Sequence, residues 1–240
     1  MPATELKQRW RAGEATYGAA IRLNSTWAVE VFAHAGLDFI WIDLQHGFVP
    51  EHLLMPMLQA MNGFQATSLV RVAANDPVLI GRALDAGSEG VIVPMVQTRE
   101  DAERAVAACR YEPAGVRSHS ALRLGYLPGG IHREVICLVM IETELGVRNA
   151  AEITAVPGVD GVFVGPSDLA LSMGLEPSGL QPGRHADAID AVLKACRDNG
   201  VVTALTGEPE AMKAMGVKMI SLGSDNLFLM AGMKAALSKR

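Results

Sequence analysis

Two apolar runs end in bare acids. Cys137-Leu138-Val139-Met140-Ile141 leads straight into Glu142, and Val162-Phe163-Val164 passes through Gly165-Pro166-Ser167 to Asp168. Both runs read as strands buried on both faces, where an ionised side chain is costly unless something pairs with it. Two carboxylates from neighbouring strands, with no C-x-x-C and no histidine cluster, suit a hard divalent cation such as Mg²⁺ or Mn²⁺. Two protein ligands leave most of an octahedron open for water and a chelating substrate. Such a site can take a 2-oxo acid through its carboxylate and keto oxygens and stabilise the enolate.

Other strand-like runs end in polar groups too. The run 39–44 contains Asp43, with His46 one turn on, and 67–72 contains Arg71. Taken singly, each residue has a plain structural reading. Glu142 and Asp168 are acids that would open a helix, Arg71 a strand-end partner for any local acid, and His46 a loop histidine. Together they form a set that does chemistry. Arg71 adds positive charge where an enolate oxygen develops, and His46 is a base whose pKa lies naturally near working pH. None of the lysines ends a predicted strand, so a lysine-imine route is not expected. No H-E-x-x-H, P-loop or G-x-G-x-x-G motif is present.

The elements that must position these residues follow from periodicity. Strand-like runs fall at 17–23, 39–44, 67–72, 91–96, 136–141, 161–164, 201–205 and 219–222, each bounded by Gly, Pro or Asp and followed by a helical pattern. Asp76-Pro77, Thr98 with Glu100 and Asp101, and Ser224-Asp225 read as helix starts. Eight βα units in 240 residues predict a single-domain (β/α)8 TIM barrel over 1–240 rather than an open doubly wound sheet. The strand C-termini then converge on one mouth. Two long connections, 110–134 and 175–183, are expected on that side, the first shaping the pocket for the second substrate with His119 and Arg123 as candidates.

Half the residues are hydrophobic and the formal charge is −5, without a basic run, which argues against nucleic acid as a partner. No apolar run reaches the length of a membrane span, and MPATELKQRW lacks the apolar stretch of a leader. Cys109, Cys137 and Cys196 form no framework and read as buried reduced thiols, so a cytoplasmic protein is expected.

The segments DFIWIDLQHG, VRVAANDP, GVIVPMVQT, YEPAGVRS, IETELGVRNAAEI and GVDGVFVGPSDLALSMG resemble the HpcH/HpaI aldolase family, over nearly the whole chain. The resemblance implies a metal-dependent (class II) pyruvate aldolase that cleaves or forms 4-hydroxy-2-oxo acids from pyruvate, or a related 2-oxo acid such as hydroxypyruvate, and an aldehyde. It implies Glu142 and Asp168 as ligands of Mg²⁺, Mn²⁺ or Co²⁺, His46 as general base and Arg71 as enolate-stabilising arginine. It also implies Asp85 as the acid raising the basicity of that histidine, with Ser167 and Leu205 contacting the substrate through their backbones. A homo-oligomer is implied as well, a hexamer in family members, with the apolar-faced helix 224–238 covering its own barrel or exchanged with a neighbour's. Members often carry glutamine where Met140 stands, and some an acid at Gln45. The methionine cannot donate to the substrate, so 2-oxo-acid preference need not follow the family. Two other readings stand beside this one. A CoA-thioester lyase on the same barrel would need Arg117 and Arg123 to hold the nucleotide, and a non-catalytic barrel would only bind a metal and a small acid.

Overall fold

The computed structural model describes residues 1–120 and 122–238. Eight parallel strands close in chain order into a barrel: β1 Thr16–Ile21, β2 Phe39–Asp43, β3 Thr67–Arg71, β4 Gly90–Val93, β5 Ile136–Ile141, β6 Gly161–Val164, β7 Val202–Thr206 and β8 Met219–Ser224. Pairing of β1 with β8 completes the ring. The chain starts with α1 Ala3–Arg11, and the helices between strands are α2 Thr26–His34, α3 Glu51–Ala60, α4 Pro77–Asp85, α5 Arg99–Cys109, α6 Glu144–Arg148, α7 Ala150–Thr154, α8 Pro166–Ser172, α9 Arg184–Asn199 and α10 Pro209–Ala214. The last helix is α11 Asp225–Leu237. All eight expected strands are present. The fourth stops at Val93 rather than at Val96, because Pro94 has no N–H to give to a ladder.

Period-two alternation splits the buried residues into two layers. Inward-facing Phe39, Trp41, Leu69, Leu138, Met140 and Phe163 fill the barrel. Outward-facing Ile40, Ile42, Val70, Val139, Ile141 and Val164 pack under the helices. This double burial is why the strands read as unbroken apolar runs. A side chain at Gly18 would place its Cβ 2.3 Å from the Phe39 ring, so β1 must be bare there for the interior to close.

The first helix closes one end of the barrel. Ala3, Leu6 and Trp10 of α1 join the interior cluster, a helical spacing visible in the sequence but not assigned there. Lys7 is buried and fully partnered, with Nζ 2.7 Å from Glu134, 2.8 Å from Asp160 and 3.1 Å from the Val135 carbonyl oxygen.

All three helix starts fall where expected, the last with Ser224 at its N-cap. Asp76 accepts from the N–H groups of Val78 and Leu79, with Pro77 next, and Thr98 forms a capping box with Asp101. Asp225 opens its helix and makes a further contact. Its buried carboxylate accepts from Arg22 N at 3.1 Å and Leu23 N at 3.0 Å, tying the start of α11 to the end of β1. Beyond it Leu227, Leu229, Met230 and Met233 are exposed, so α11 does not cover its own barrel.

The connection 110–134 lies on the opposite side from the one expected. It follows α5, which has already returned the chain to the N-terminal ends of the strands, so it lies away from the mouth. His119 rests against Tyr111, centroids 5.9 Å apart, and an Arg123 Nη1 donates to the Met55 carbonyl at 3.3 Å. Neither shapes the mouth of this chain. The connection 175–183 joins α8 to α9 and does stay on the mouth side, where Gly179 lines the cavity.

Replacing Leu6 by alanine is expected to cost about 2–5 kcal/mol, the range for a fully buried leucine, read from urea unfolding. Turnover per folded molecule should stay unchanged, since α1 lies at the far end from the mouth.

Candidate active site

The strand C-termini surround a cavity of about 480 Å³ lined by Arg22, His46, Arg71, Glu142, Ser167 and Asp168 around a floor of Trp41, Ile92, Met140 and Phe163. Strand parity explains the convergence. Phe39, Trp41 and Asp43 share one face, as do Leu69 and Arg71, and Leu138, Met140 and Glu142. The same alternation that fills the barrel interior therefore delivers its last polar residue into the mouth. A larger cleft of about 630 Å³ opens at the other end, around Lys7 and Asp160. It holds none of these residues.

Asp43 is the centre of one wall. It is wholly buried, and its carboxylate takes Arg71 in a two-pronged bond, Nε at 2.9 Å and Nη2 at 2.5 Å. The backbone N–H groups of Gln45 and His46 donate to the same carboxylate, each at 3.1 Å, and Arg22 Nε donates to it at 3.1 Å. Burial alone would push this carboxyl up, but the Arg71 bonds and charge, with the His46 N–H, hold it below its ordinary value. The sequence marked Asp43 as a strand-end acid and assigned it no role. The signal was its parity with Phe39 and Trp41.

Arg71 is held on every side but one. Its guanidinium lies 5.1 Å from the Trp41 ring centroid, and Nη1 faces the Met140 sulfur at 3.9 Å. With Nε and Nη2 committed to Asp43, Nη1 is the edge presented to the cavity. Met140 forms floor rather than a polar wall.

The opposite wall carries the two acids. Glu142 is only 2 % exposed. Its Oε1 accepts from the Met95 N–H at 2.8 Å, and its other oxygen accepts no hydrogen bond from the described residues. Met95 holds a left-handed backbone, φ 56°, a conformation a non-glycine residue adopts at a cost, and its N–H meets Glu142 from there. A Cβ on Gly165 would come within 2.5 Å of Glu142, so the bare glycine lets that carboxylate lie against the end of β6. Burial pushes the Glu142 carboxyl up, and the negative charge of Asp168 adds to the rise, against the Met95 bond and Arg71. Two carboxylates near enough to repel, one with a free oxygen, match the oxygen chemistry of a hard divalent cation. Among the described residues no group of three or more His, Cys, Asp or Glu is arranged for a metal, so a cation here would take two protein ligands.

Ser167 and Asp168 sit in the first turn of α8, where backbone N–H groups lack intrahelical acceptors. His185 fixes that turn, a contact the sequence did not suggest. Its Nε2 bonds the Pro166 carbonyl at 2.9 Å and its Nδ1 accepts from the Gln181 N–H at 3.2 Å, which assigns the neutral ring with its proton on Nε2. His46, Arg71, Glu142, Ser167 and Asp168 are brought together. Asp85 and the Leu205 side chain are not. Asp85 ends α4 at the far side of the barrel, where Arg117 Nη2 donates to it at 2.6 Å, so within one chain it does not adjoin His46. Leu205 points outward into the helix-facing layer, and Thr206 lines the cavity instead. No lysine lines this cavity among the described residues.

Residues 20–231 match the family described as HpcH/HpaI aldolase/citrate lyase. A pyruvate aldolase of Rhizobium etli is 38% identical over 247 residues, spanning 100% of this chain and 95% of that protein. A 4-hydroxy-2-oxo-heptane-1,7-dioate aldolase of Klebsiella pneumoniae is 35% identical, over 97% of this chain and 92% of its own. The crystal structure of an HpcH/HpaI aldolase/citrate lyase family protein from Burkholderia cenocepacia superposes with a TM-score of 0.90 at 31% identity, covering 98% of each chain.

Asp43→Ala would strand the Arg71 guanidinium in the interior, and a loss of about 3–5 kcal/mol is expected from denaturant unfolding. The acid titration of the wild type follows from the lowered carboxyl. The ion pair contributes fully above the ordinary aspartate pKa, and that contribution disappears as pH falls through the lower folded-state value. Asp43→Ala should therefore lose less stability than the wild type as pH falls below the ordinary aspartate value.

Proposed function

The chain belongs to the HpcH/HpaI aldolase/citrate lyase family and is an aldolase, and from that premise we propose that it splits 4-hydroxy-2-oxo acids reversibly into pyruvate and an aldehyde with a divalent cation held by Glu142 and Asp168. The observation that carries the reading is the buried Glu142 carboxylate with one unpartnered oxygen beside the charge of Asp168, across a cavity from Arg71. A bound cation, Mg²⁺, Mn²⁺ or Co²⁺, would neutralise the pair and act as a Lewis acid on the 2-oxo group.

The chain's own residues supply the rest. His46, at the exposed rim of the cavity, accepts the C4 hydroxyl proton as the C3–C4 bond breaks. The bonding pair passes to C3 and delocalises onto the C2 oxygen, where Arg71 Nη1 meets the developing charge. The N–H groups at the start of α8, with Ser167, hold the substrate carboxylate. Return of a proton to C3 gives pyruvate. In the synthetic direction the same groups act in reverse.

We also propose a closed homo-oligomer, a hexamer by resemblance, in which α11 seats on a second copy. The exposed apolar residues of that helix, joined to its own barrel through Asp225 and a Phe228–Phe32 contact at 5.9 Å, support this reading. Truncation before Asn226 should reduce the assembly size read by light scattering.

Protein treated with EDTA should lose turnover of 4-hydroxy-2-oxo acids and regain it with Mg²⁺, Mn²⁺ or Co²⁺, whereas Glu142→Gln should stay at least about 100-fold down with metal restored. His46→Ala should lower kcat by about 100- to 10,000-fold. Full turnover in excess EDTA would overturn the reading.

A further inference from the structure

Arg22 stands in the cavity wall with no role in the reaction just described. It follows β1 directly, and its backbone is clamped from two sides. Its N–H donates to Asp225 at 3.1 Å, and its carbonyl accepts from Phe48 N at 2.8 Å, just past His46. Its side chain is 37% exposed and aims into the same cavity as His46 and Thr206. Nε donates to Asp43, but the Nη groups make no hydrogen bond to the described residues.

Charge on this wall does not balance. Asp43 is already matched by the two-pronged Arg71 bond, so Arg22 is a second guanidinium facing one spent carboxylate. On the far wall the two acids are neutralised by a divalent cation in the reading above. The wall around Asp43 then carries two arginines against one carboxylate, an excess of one positive charge on that side. In that reading the pyruvate carboxylate is held at the α8 end, away from this wall. Arg22 lies at the opposite side, next to the base that acts on the C4 hydroxyl, where the aldehyde-derived half of the substrate must sit.

We infer that Arg22 binds a carboxylate on the aldehyde-derived half of the substrate, and so selects aldehydes that are anionic at their far end. This rests on the aldolase reading and adds its specificity determinant. A planar guanidinium with a free Nη edge suits a carboxylate, which it can take in a paired bond.

The test compares two aldehydes of matched length condensing with pyruvate, succinic semialdehyde and butanal, with the metal-loaded oligomer. Wild type should favour the anionic aldehyde by about 10- to 100-fold in kcat/KM, the worth of one charge-assisted pair on a half-exposed wall. Arg22→Ala should collapse that ratio toward one, and Arg22→Lys, which keeps the charge without the fork, should recover part of it. In the wild type, added salt should raise KM for succinic semialdehyde and leave that for butanal in place. A wild-type ratio near one, or a ratio that Arg22→Ala leaves unchanged, overturns the inference. Exchange of the pyruvate methyl protons into deuterated water, run beside it, separates the two failures. Exchange without preference sinks the role of Arg22 alone, and no exchange in the metal-loaded wild type sinks the aldolase reading beneath it.

Discussion

A carboxylate sealed from solvent cannot stay charged without partners, and Asp43 organises its whole end of the barrel by that requirement. It draws the Arg71 guanidinium into a fixed orientation, shapes the turn that carries His46 through two backbone N–H groups, and anchors Arg22 by one nitrogen. A single buried anion thus holds two arginine side chains and the backbone turn that carries a histidine. The arrangement is preorganised. Arg71 has Trp41 beneath it and Asp43 behind it, so its guanidinium is held in place before any ligand binds.

The two walls of the mouth are electrostatic opposites. Around Asp43 the surplus is positive, while Glu142 and Asp168 face it with negative charge and a carboxyl raised by burial. In the proposed reaction a cation between the acids and an anionic substrate across the gap would resolve both imbalances at once. Strain contributes on the acidic side, where Met95 takes a left-handed backbone and donates its N–H to one Glu142 oxygen. That bond leaves the other oxygen without a hydrogen-bond donor among the described residues.

Stability and chemistry occupy opposite ends of the barrel. The N-terminal end is sealed by α1, with Leu6 in the interior and Lys7 among Glu134, Asp160 and a carbonyl oxygen. The connection 110–134 also belongs to that end. Its Arg117 pairs with Asp85 and lies 4.7 Å from the Tyr111 ring centroid, which occupies the residues that a nucleotide-bearing thioester would have needed at the mouth. The last helix belongs to neither end of its own barrel, and its apolar surface is exposed.

Much of this was legible before any coordinates. Eight apolar runs with helical patterns between them determined the strand count and the barrel, because parallel strands buried on both faces leave that mark on composition and spacing. Glu142, Asp168, Arg71 and His46 could be read as one set because each ends or follows such a run. The alternation of strand side chains carried Asp43 into view but not its partners, since a hydrogen bond from Arg22 to Asp43 spans two strands and no local pattern encodes it. Only the closed ring decided which groups share a wall, that Met95 and His185 support the site through backbone contacts, that Asp85 lies at the far end beside Arg117, and that the long connection belongs to the opposite face. The physical reason is common to all four. Sequence periodicity fixes which way a side chain points along its own element, whereas neighbours across the barrel are set by strand register and by the direction in which each helix returns the chain.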